Sequence, residues 1–196
     1  DYTLLKEWYG AKGQHIKCFN YPSNLYREKV LKVKQHTSIN LQVGNSADPS
    51  NNHFRVLDHL SKYKGQNIKI FVPLSYGNDE YAREVIYKGK KLFGDKFIPM
   101  TTFFPIEKYL AFLMEIDIAI FAHDRQQAMG NITTLLGYGK KVYLSKESTL
   151  NGVFDEFKIK VFDSDDIDLE LLDNGIRDTN MESVKANFSE NSLIDA

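Results

Sequence analysis

Cysteine is almost absent from this sequence, since Cys18 is the only one among 196 residues. A single cysteine excludes a disulfide within the chain and any zinc site that needs several cysteine ligands. We expect Cys18 to be a free, buried thiol, as is usual for a protein of a reducing compartment.

Long hydrophobic runs are missing as well. The longest apolar stretches have only the length of a strand, as in 116–122, where Asp117 interrupts the run. A helix that crosses a bilayer needs about 20 apolar residues, and no N-terminal secretory signal is visible. The chain begins with Asp1 rather than Met, and we expect it to be a fragment whose N-terminal part is missing.

A strong charge of either sign is also lacking. The chain has 25 Lys and Arg residues against 26 Asp and Glu residues, for a net charge of −1. No overall field favours a nucleic acid, and we expect no such partner. With 42% hydrophobic residues, the chain has the composition of an ordinary globular protein, enough for one large domain with appendages.

The familiar catalytic and cofactor motifs do not occur. The sequence contains neither a phosphate-binding Gly-x-x-x-x-Gly-Lys-Ser/Thr motif nor the dinucleotide pattern Gly-x-Gly-x-x-Gly. It has no Gly-x-Ser-x-Gly nucleophile motif, and no pair of histidines or carboxylates has the spacing of metal ligands. We therefore predict no cofactor and no metal, and no catalytic residue is identified from the sequence.

The sequence does contain a regular alternation of strand and helix patterns. Strands are predicted at 38–43, 67–72, 96–102, 117–121 and 141–144, and helices from a cap at 51 or 52 to about 64, then at 79–93, 105–115 and 125–136. This alternation is typical of an α/β fold with a doubly wound, mainly parallel sheet, Rossmann-like in class, with helices on both faces.

The flanking segments are less regular. We predict a short helix within 1–14, a strand from His15 to Phe19, a turn at 21–24 and a Lys-rich stretch at 24–36. That stretch is either a solvated linker or a basic surface near an anionic membrane.

After the fifth strand we predict a helix near 148–157, a strand at 160–162, an acidic helical stretch at 165–172 and a polar helical tail at 180–189. The predicted organisation is therefore a remnant of a preceding domain and linker at 1–36, a Rossmann-like domain at 37–164 and an acidic helical segment at 165–196.

Small polar residues follow the first strand. The loop 44–52 contains Gly44, Asn45, Ser46, Ser50 and Asn51 and leads directly into a helix. Ligands of parallel sheets bind beyond the carboxyl ends of the strands, and a helix N-terminus attracts anions. The loop is either one side of a phosphate site or a capping turn without a ligand; the carboxylate of residue 48 opposes direct phosphate contact.

A second polar loop, 122–131, follows the fourth strand. Arg125 is the best candidate for pairing with a diphosphate, because a guanidinium forms bidentate, charge-assisted hydrogen bonds. Gln126 and Gln127 add neutral donors, and Gly130 allows close approach of a ligand. The alternative is a surface arginine that pairs with its neighbour Asp124.

Other residues near these loops have less specific interpretations. The segment 73–77, with Tyr76, is either a plain turn or a wall for a base or a sugar. His53 at a helix start is interpreted as a surface residue beside the cap. The helical spacing of Tyr109, Phe112 and Leu113 indicates core positions.

Together these residues form a pattern that resembles one family. It resembles the C-terminal half of the 4-acetamido-4,6-dideoxy-galactose (Fuc4NAc) transferases of enterobacterial common antigen synthesis, also called 4-alpha-L-fucosyltransferases, over roughly residues 15–145. The residues that carry the resemblance are Val43-Gly44-Asn45-Ser46, Asp48, Ser50-Asn51, His53, Val72-Pro73, Tyr76-Gly77, Tyr109-Leu110-Ala111, Asp117, Arg125-Gln126-Gln127 and Gly130.

The resemblance implies a GT-B glycosyltransferase, in which two Rossmann-like domains face a cleft and the C-terminal one binds the donor without an essential metal. It implies transfer of a deoxyamino sugar from a dTDP-sugar to a polyprenyl-diphosphate-linked oligosaccharide. The location would be cytoplasmic, on the inner face of the membrane, with membrane contact through the missing N-terminal domain, and the fragment alone would be inactive. The implied donor-binding residues are Gly44, Asn45, Ser46, Ser50, Asn51, Tyr76, Arg125, Gln126, Gln127 and Gly130.

The sequence departs from the family pattern at two positions. Pro49 stands where a basic residue is expected, and Asn131 where a small hydroxyl residue is expected. Both put the identity of the donor in question more than the fold. Two other functions stay open on the sequence, a non-catalytic receiver-like or nucleotide-binding module and a GT-B epimerase that releases free sugar.

Overall fold

The computed structural model describes residues 2–16, 24–28 and 36–194. Cys18 and most of the turn predicted at 21–24 lie outside the described residues. So does most of the strand predicted from His15 to Phe19, although its first two residues are described and are not in a strand.

A parallel sheet of six strands forms the centre of the molecule. The strands are β1 (Ile39–Val43), β2 (Ile68–Pro73), β3 (Phe97–Met100), β4 (Ile118–Phe121), β5 (Lys141–Leu144) and β6 (Phe162–Asp163). Their spatial order is β3-β2-β1-β4-β5-β6, and every neighbouring pair is parallel. The predicted doubly wound, Rossmann-like α/β class is confirmed.

Eight α-helices connect or flank these strands in the described part of the chain. They are α1 (Tyr2–Tyr9), α2 (His53–Leu60), α3 (Asp79–Phe93), α4 (Ile106–Met114), α5 (Met129–Gly137), α6 (Leu150–Glu156), α7 (Asn174–Phe188) and α8 (Glu190–Ile194), with 3₁₀ turns at Pro49–Asn51, Ser61–Tyr63 and Gly94–Lys96. None is long and apolar enough to span a membrane.

Alternation along the buried strands divides the core into two layers. In β4, Ile118 and Ile120 pack into the layer that contains α2 and α3, whereas Ala119 and Phe121 face the layer of α4, α5 and α7. Strands covered on both faces are mostly apolar, and all four residues of β4 are buried.

The helix predicted at 125–136 starts four residues later than expected. Residues 122–128 are a loop, and Ala128 adopts a left-handed conformation with φ of 58° before α5 begins at Met129. A residue in the left-handed conformation cannot be part of a right-handed helix, so α5 cannot extend toward the N-terminus past Ala128. The later start of this helix matters for the candidate site, because it leaves Arg125, Gln126 and Gln127 in a loop.

The acidic helical stretch predicted at 165–172 is wrong, because this segment contains no helix. Side chains of Asp163 and Asp168 accept hydrogen bonds from the backbone N–H groups of residues 165 and 170, which favours turns over helix. Ile167 and Leu169 point into the core at alternate positions. The helix begins instead at Asn174 and ends at Phe188, so it includes all but the last residue of the predicted helical tail, 180–189.

Two smaller boundaries also differ. The strand predicted at 160–162 lies at Phe162–Asp163, and the helix predicted to reach 64 ends at Leu60 before a 3₁₀ turn. The predicted helix near 148–157 forms over Leu150–Glu156.

Candidate functional site

The site lies where the strand order reverses, between the carboxyl ends of β1 and β4. Helices leave these two strands toward opposite faces of the sheet, which opens a crevice there. The loop after β1, 44–52, and the loop after β4, 122–128, form its two sides. All but one of the site residues predicted from sequence lie in these loops or in the first turn of α5.

Gly44 begins the first loop with a left-handed backbone, at φ of 66°. A Cβ atom on Gly44 would lie 2.6 Å from Nε2 of His53 and 2.9 Å from Oδ1 of Asn51. The glycine is therefore required both by the turn and by the close approach of two side chains.

Asn51 organises this loop from inside. It is fully buried, and its Oδ1 accepts a hydrogen bond from the backbone N–H of Asn45 at 3.0 Å. Its Nδ2 donates to the carbonyl of Asp48 at 3.1 Å and to Oγ of Ser46 at 3.2 Å. Asn51 and the buried Ser46 thus shape the loop, and Asn45 and Ser50 are the partly exposed members of the set.

A second loop supports the first from the β2 side. Asn45 donates from Nδ2 to the hydroxyl of Tyr76 at 2.9 Å, and the N–H of Ala47 donates to the carbonyl of Tyr76 at 2.8 Å. An isolated parallel bridge joins Ala47 and Gly77. Tyr76 is exposed, so its ring forms a wall of the crevice.

Arg125 crosses from the β4 loop to the β1 loop. Its Nε and Nη2 atoms lie 3.4 Å from Oγ of Ser50, and Nη2 lies 3.6 Å from Oδ2 of Asp48. The alternative pairing with Asp124 is wrong, since the ion pair of Arg125 is with Asp48, and the Asp124 carboxylate instead accepts a hydrogen bond from Ser145 at 2.7 Å. The structure therefore brings together the two sets of residues that the sequence separates by about 75 positions.

The carboxylate of Asp48 is fixed beside this arginine. Hydrogen bonds from the hydroxyl and the N–H of Ser50 hold the pKa of Asp48 below its usual value, and the positive charge of Arg125 acts in the same direction. Asp48 therefore stays ionised near neutral pH, and the crevice contains one negative and one positive group in contact.

The remaining predicted residues lie around the start of α5. The hydroxyl of Ser50 lies 3.3 Å from Oε1 of Gln127, whose buried Nε2 has no partner among the described residues. Gly130 lies in the first turn of α5, where no side chain caps the helix, and Gln126 is exposed. The positive end of α5 thus faces the same crevice.

The interpretation of His53 as a surface residue is wrong. Its side chain is fully buried, and burial lowers its pKa to about 4. Nδ1 lies 3.2 Å from the hydroxyl of Tyr81, and Nε2 has no partner among the described residues. Burial also lowers the pKa of His123, whose Nδ1 donates to the carbonyl of Arg125 at 3.0 Å. Both imidazoles are neutral near pH 7.

An apolar pocket of about 220 Å³ adjoins the first loop. Its walls come from the ends of β1, β2 and β3 and from α4, and the residues are Asn45, Pro73, Ser75, Tyr76, Met100, Thr102, Phe103, Phe104, Ile106, Tyr109 and Asn131. A neighbouring pocket of about 240 Å³ shares Ile106, Tyr109 and Asn131. The two pockets meet at these residues of α4 and α5, and together they are called the groove.

The sequence predicts part of this groove, because one interpretation of the segment 73–77 is a wall for a base or a sugar, but it misses the contribution of α4. Tyr109 was assigned to the core with Phe112 and Leu113; the latter two are buried, whereas Tyr109 is half-buried and lines both pockets. The signal in the sequence was the pair Phe103-Phe104 directly after a strand. Two aromatic residues in a loop at the carboxyl edge often form a binding wall.

No group of three or more His, Cys, Asp or Glu side chains with a metal-binding arrangement occurs within residues 2–16, 24–28 and 36–194.

A comparison with known protein families finds a match over most of the chain. The family described as 4-alpha-L-fucosyltransferase, glycosyl transferase group 56, matches residues 14–188. The chain belongs to this family. The match covers the whole sheet, both loops of the crevice and the groove.

Solved structures with a similar fold include several GT-B glycosyltransferases. A glycosyltransferase from Rickettsia africae superimposes with a TM-score of 0.65 at 15% identity, over 82% of this chain and 46% of that chain. WaaG, a glycosyltransferase involved in lipopolysaccharide biosynthesis, superimposes with a TM-score of 0.57 at 13% identity, over 98% of this chain and 55% of that chain. The trehalose-6-phosphate synthase OtsA superimposes with a TM-score of 0.60 at 10% identity, over 81% of this chain and 42% of that chain.

At these identities the superpositions establish the fold. This member of the 4-alpha-L-fucosyltransferase family spans about half the length of the solved structures that it matches.

Proposed function

We propose that this chain is the donor-binding part of a glycosyltransferase and corresponds to the C-terminal domain of a GT-B enzyme. The observation that carries the proposal is the approach of Arg125 to Ser50 across the crevice, at 3.4 Å. A cation, short polar side chains and a helix N-terminus converge there, as a diphosphate requires.

In this proposal the diphosphate of the donor lies between the two loops. Arg125 binds it by charge-assisted hydrogen bonds, and Asn45 and Ser50 offer polar groups from the opposite side. The positive end of α5 faces the leaving group. These groups stabilise the charge that develops on the diphosphate as the glycosidic bond breaks, a role that a metal ion has in other transferases.

The apolar pocket beside the loop accepts the base of the donor. Flat aromatic faces from Tyr76, Phe103 and Tyr109 suit a ring, and apolar walls such as Met100 and Ile106 suit the methyl group of thymine. The pocket volume of about 220 Å³ is adequate for one pyrimidine, and we propose dTDP as the nucleotide.

The sugar, the acceptor and the location follow from the family resemblance. We propose a Fuc4NAc-like deoxyamino sugar as the transferred group and a polyprenyl-diphosphate-linked oligosaccharide as the acceptor, in the synthesis of a cell-surface polysaccharide. The protein would act in the cytoplasm at the inner face of the membrane, with membrane contact through an N-terminal domain. Family membership favours this function over the receiver-like alternative.

The first test is a nucleotide screen on the full-length protein. We expect dTDP to raise the unfolding temperature more than UDP, GDP or ADP, because a ligand that binds only the native state stabilises it by mass action. Failure of all four nucleotides to shift the unfolding temperature would contradict the proposal.

Arg125→Ala tests the site itself. We expect dTDP binding at least tenfold weaker by titration calorimetry, because a hydrogen bond to a charged group contributes about 1.5–3 kcal/mol. Arg83→Ala is the matched control, since Arg83 is an exposed arginine on α3 away from the crevice. Equal affinities for the two variants would show that Arg125 is not a donor ligand.

A further inference from the structure

Within the described part of the chain, Asp48 is the carboxylate that forms an ion pair with Arg125. Nη2 of Arg125 lies 3.6 Å from Oδ2 of Asp48, and both side chains are largely open to solvent, at 64% and 44% exposure. A ligand that enters the crevice therefore meets an arginine whose charge is already partly neutralised.

The carboxylate is held in this position by the loop. Its Oδ1 accepts hydrogen bonds from the N–H of Ser50 at 2.9 Å and from its hydroxyl at 2.6 Å. Asp48 is the N-cap of the 3₁₀ turn, and Pro49 follows it with a restricted backbone. The remaining oxygen, Oδ2, is the one that faces Arg125, so Asp48 cannot easily turn away when a phosphate approaches.

We propose that Asp48 is the resident counter-ion of Arg125, which the donor diphosphate displaces on binding and which takes Arg125 back when the nucleoside diphosphate leaves. The inference rests on the proposed function and adds a role for a residue whose charge otherwise argues against a phosphate site. Asp48 lowers the affinity for the diphosphate and speeds its release.

Asp48 lowers the affinity in two ways, by competing with the diphosphate for Arg125 and by repelling it at short range. A phosphate seated on Arg125 lies within a few ångströms of the carboxylate. At about 4 Å such a like-charge contact changes affinity by roughly fivefold in bulk water and by far more at the lower effective dielectric near a protein surface, so we expect about tenfold for these solvent-exposed side chains. The alternative role is orientation of Arg125 by Asp48, and it predicts the opposite sign, because loss of the carboxylate would then weaken binding.

The test compares Asp48→Asn with wild type in the full-length protein, with dTDP as the probe in titration calorimetry. Asparagine keeps the Oδ1 acceptor for Ser50 and removes the charge. We expect about tenfold tighter binding at low salt, a smaller gain at 0.5 M salt because of screening, and slower dTDP dissociation by stopped flow. Asp178→Asn, which removes an exposed carboxylate that pairs with Arg177 on α7, should leave binding as in wild type.

The outcomes separate the two proposals. If wild type binds dTDP and Asp48→Asn binds equally or more weakly, the counter-ion role is wrong and the donor site stands. If neither protein binds any nucleoside diphosphate, both proposals fall. Asp48→Ser retains a capping side chain and gives the same comparison should the asparagine variant not fold. An equal gain in the Arg125→Ala background would also overturn the role, since no guanidinium would then be released.

Discussion

At the scale of single residues, the polar side chains of the crevice divide into those that shape the loop and those that face its opening. Asn51 uses both ends of its amide inside the loop and is fully buried. Ser50 instead lies between Asp48, Arg125 and Gln127. Ser50 and Asn51 are adjacent small polar residues with different roles, and only their contacts in the structure distinguish these roles.

His53 predicts a pH dependence of stability. Its pKa is about 4 in the folded protein, below the usual 6.5, so the unfolded chain binds more protons between these values. The contribution of the neutral His53 to the free energy of unfolding is therefore fully present above pH 6.5, and it is lost as the pH falls toward 4. We expect wild type to lose about 3 kcal/mol more than His53→Gln between pH 7 and pH 4.

Urea unfolding at several pH values measures this difference. His59→Gln, at a half-buried position in the last turn of the same helix, is the matched control and should keep the pH dependence of wild type. Parallel curves for wild type and His53→Gln would show that His53 is not the titrating group.

At the scale of elements, the 44–52 loop depends on one conformation that ordinary residues avoid. Gly44 has a positive φ, and its missing side chain leaves room for His53 and Asn51. The late start of α5 is the complementary feature, because Ala128 ends the loop in the same left-handed region. The left-handed conformations of Gly44 and Ala128 thus keep polar side chains in loops at the crevice instead of in regular helices.

Gly44→Ala should therefore damage both stability and the site. We expect a loss of more than about 2 kcal/mol in the free energy of unfolding, from the left-handed backbone and from contacts with two buried side chains. Gly65→Ala is the control, because a Cβ atom at Gly65 meets nothing within 4 Å. A thermal or urea midpoint for Gly44→Ala equal to that of the control would contradict the strained turn.

At the scale of the whole molecule, segments outside the predicted Rossmann-like domain take part in its core. Tyr26 is buried against α5, its hydroxyl donates to the carbonyl of Gly137 at 3.1 Å, and its N–H donates to the carbonyl of Phe188 at 2.7 Å. Ile167 and Leu169 enter the other layer. The boundaries predicted at 36 and 164 stay a prediction, and residues from both flanking segments pack against the predicted domain.

Tyr26 provides the test at this scale. Tyr26→Ala should cost about 3–4 kcal/mol of stability, as truncation of a buried aromatic ring usually does. Tyr26→Phe removes only the hydrogen bond to Gly137 and should cost about 1 kcal/mol. Chemical denaturation of both variants gives the two values; an alanine variant as stable as the phenylalanine variant would mean that this segment is not part of the core.

The sequence by itself determined the fold class and most of the strands, because alternating apolar residues and Gly or Pro boundaries are local signals. It also identified both loops of the crevice, since short polar residues after a buried strand are visible without a structure. Tertiary structure alone decided that Arg125 pairs with Asp48 rather than with Asp124, that His53 is buried, and that Tyr109 lines a groove. These outcomes depend on distances between segments far apart in the chain, and a local pattern carries no information about such distances.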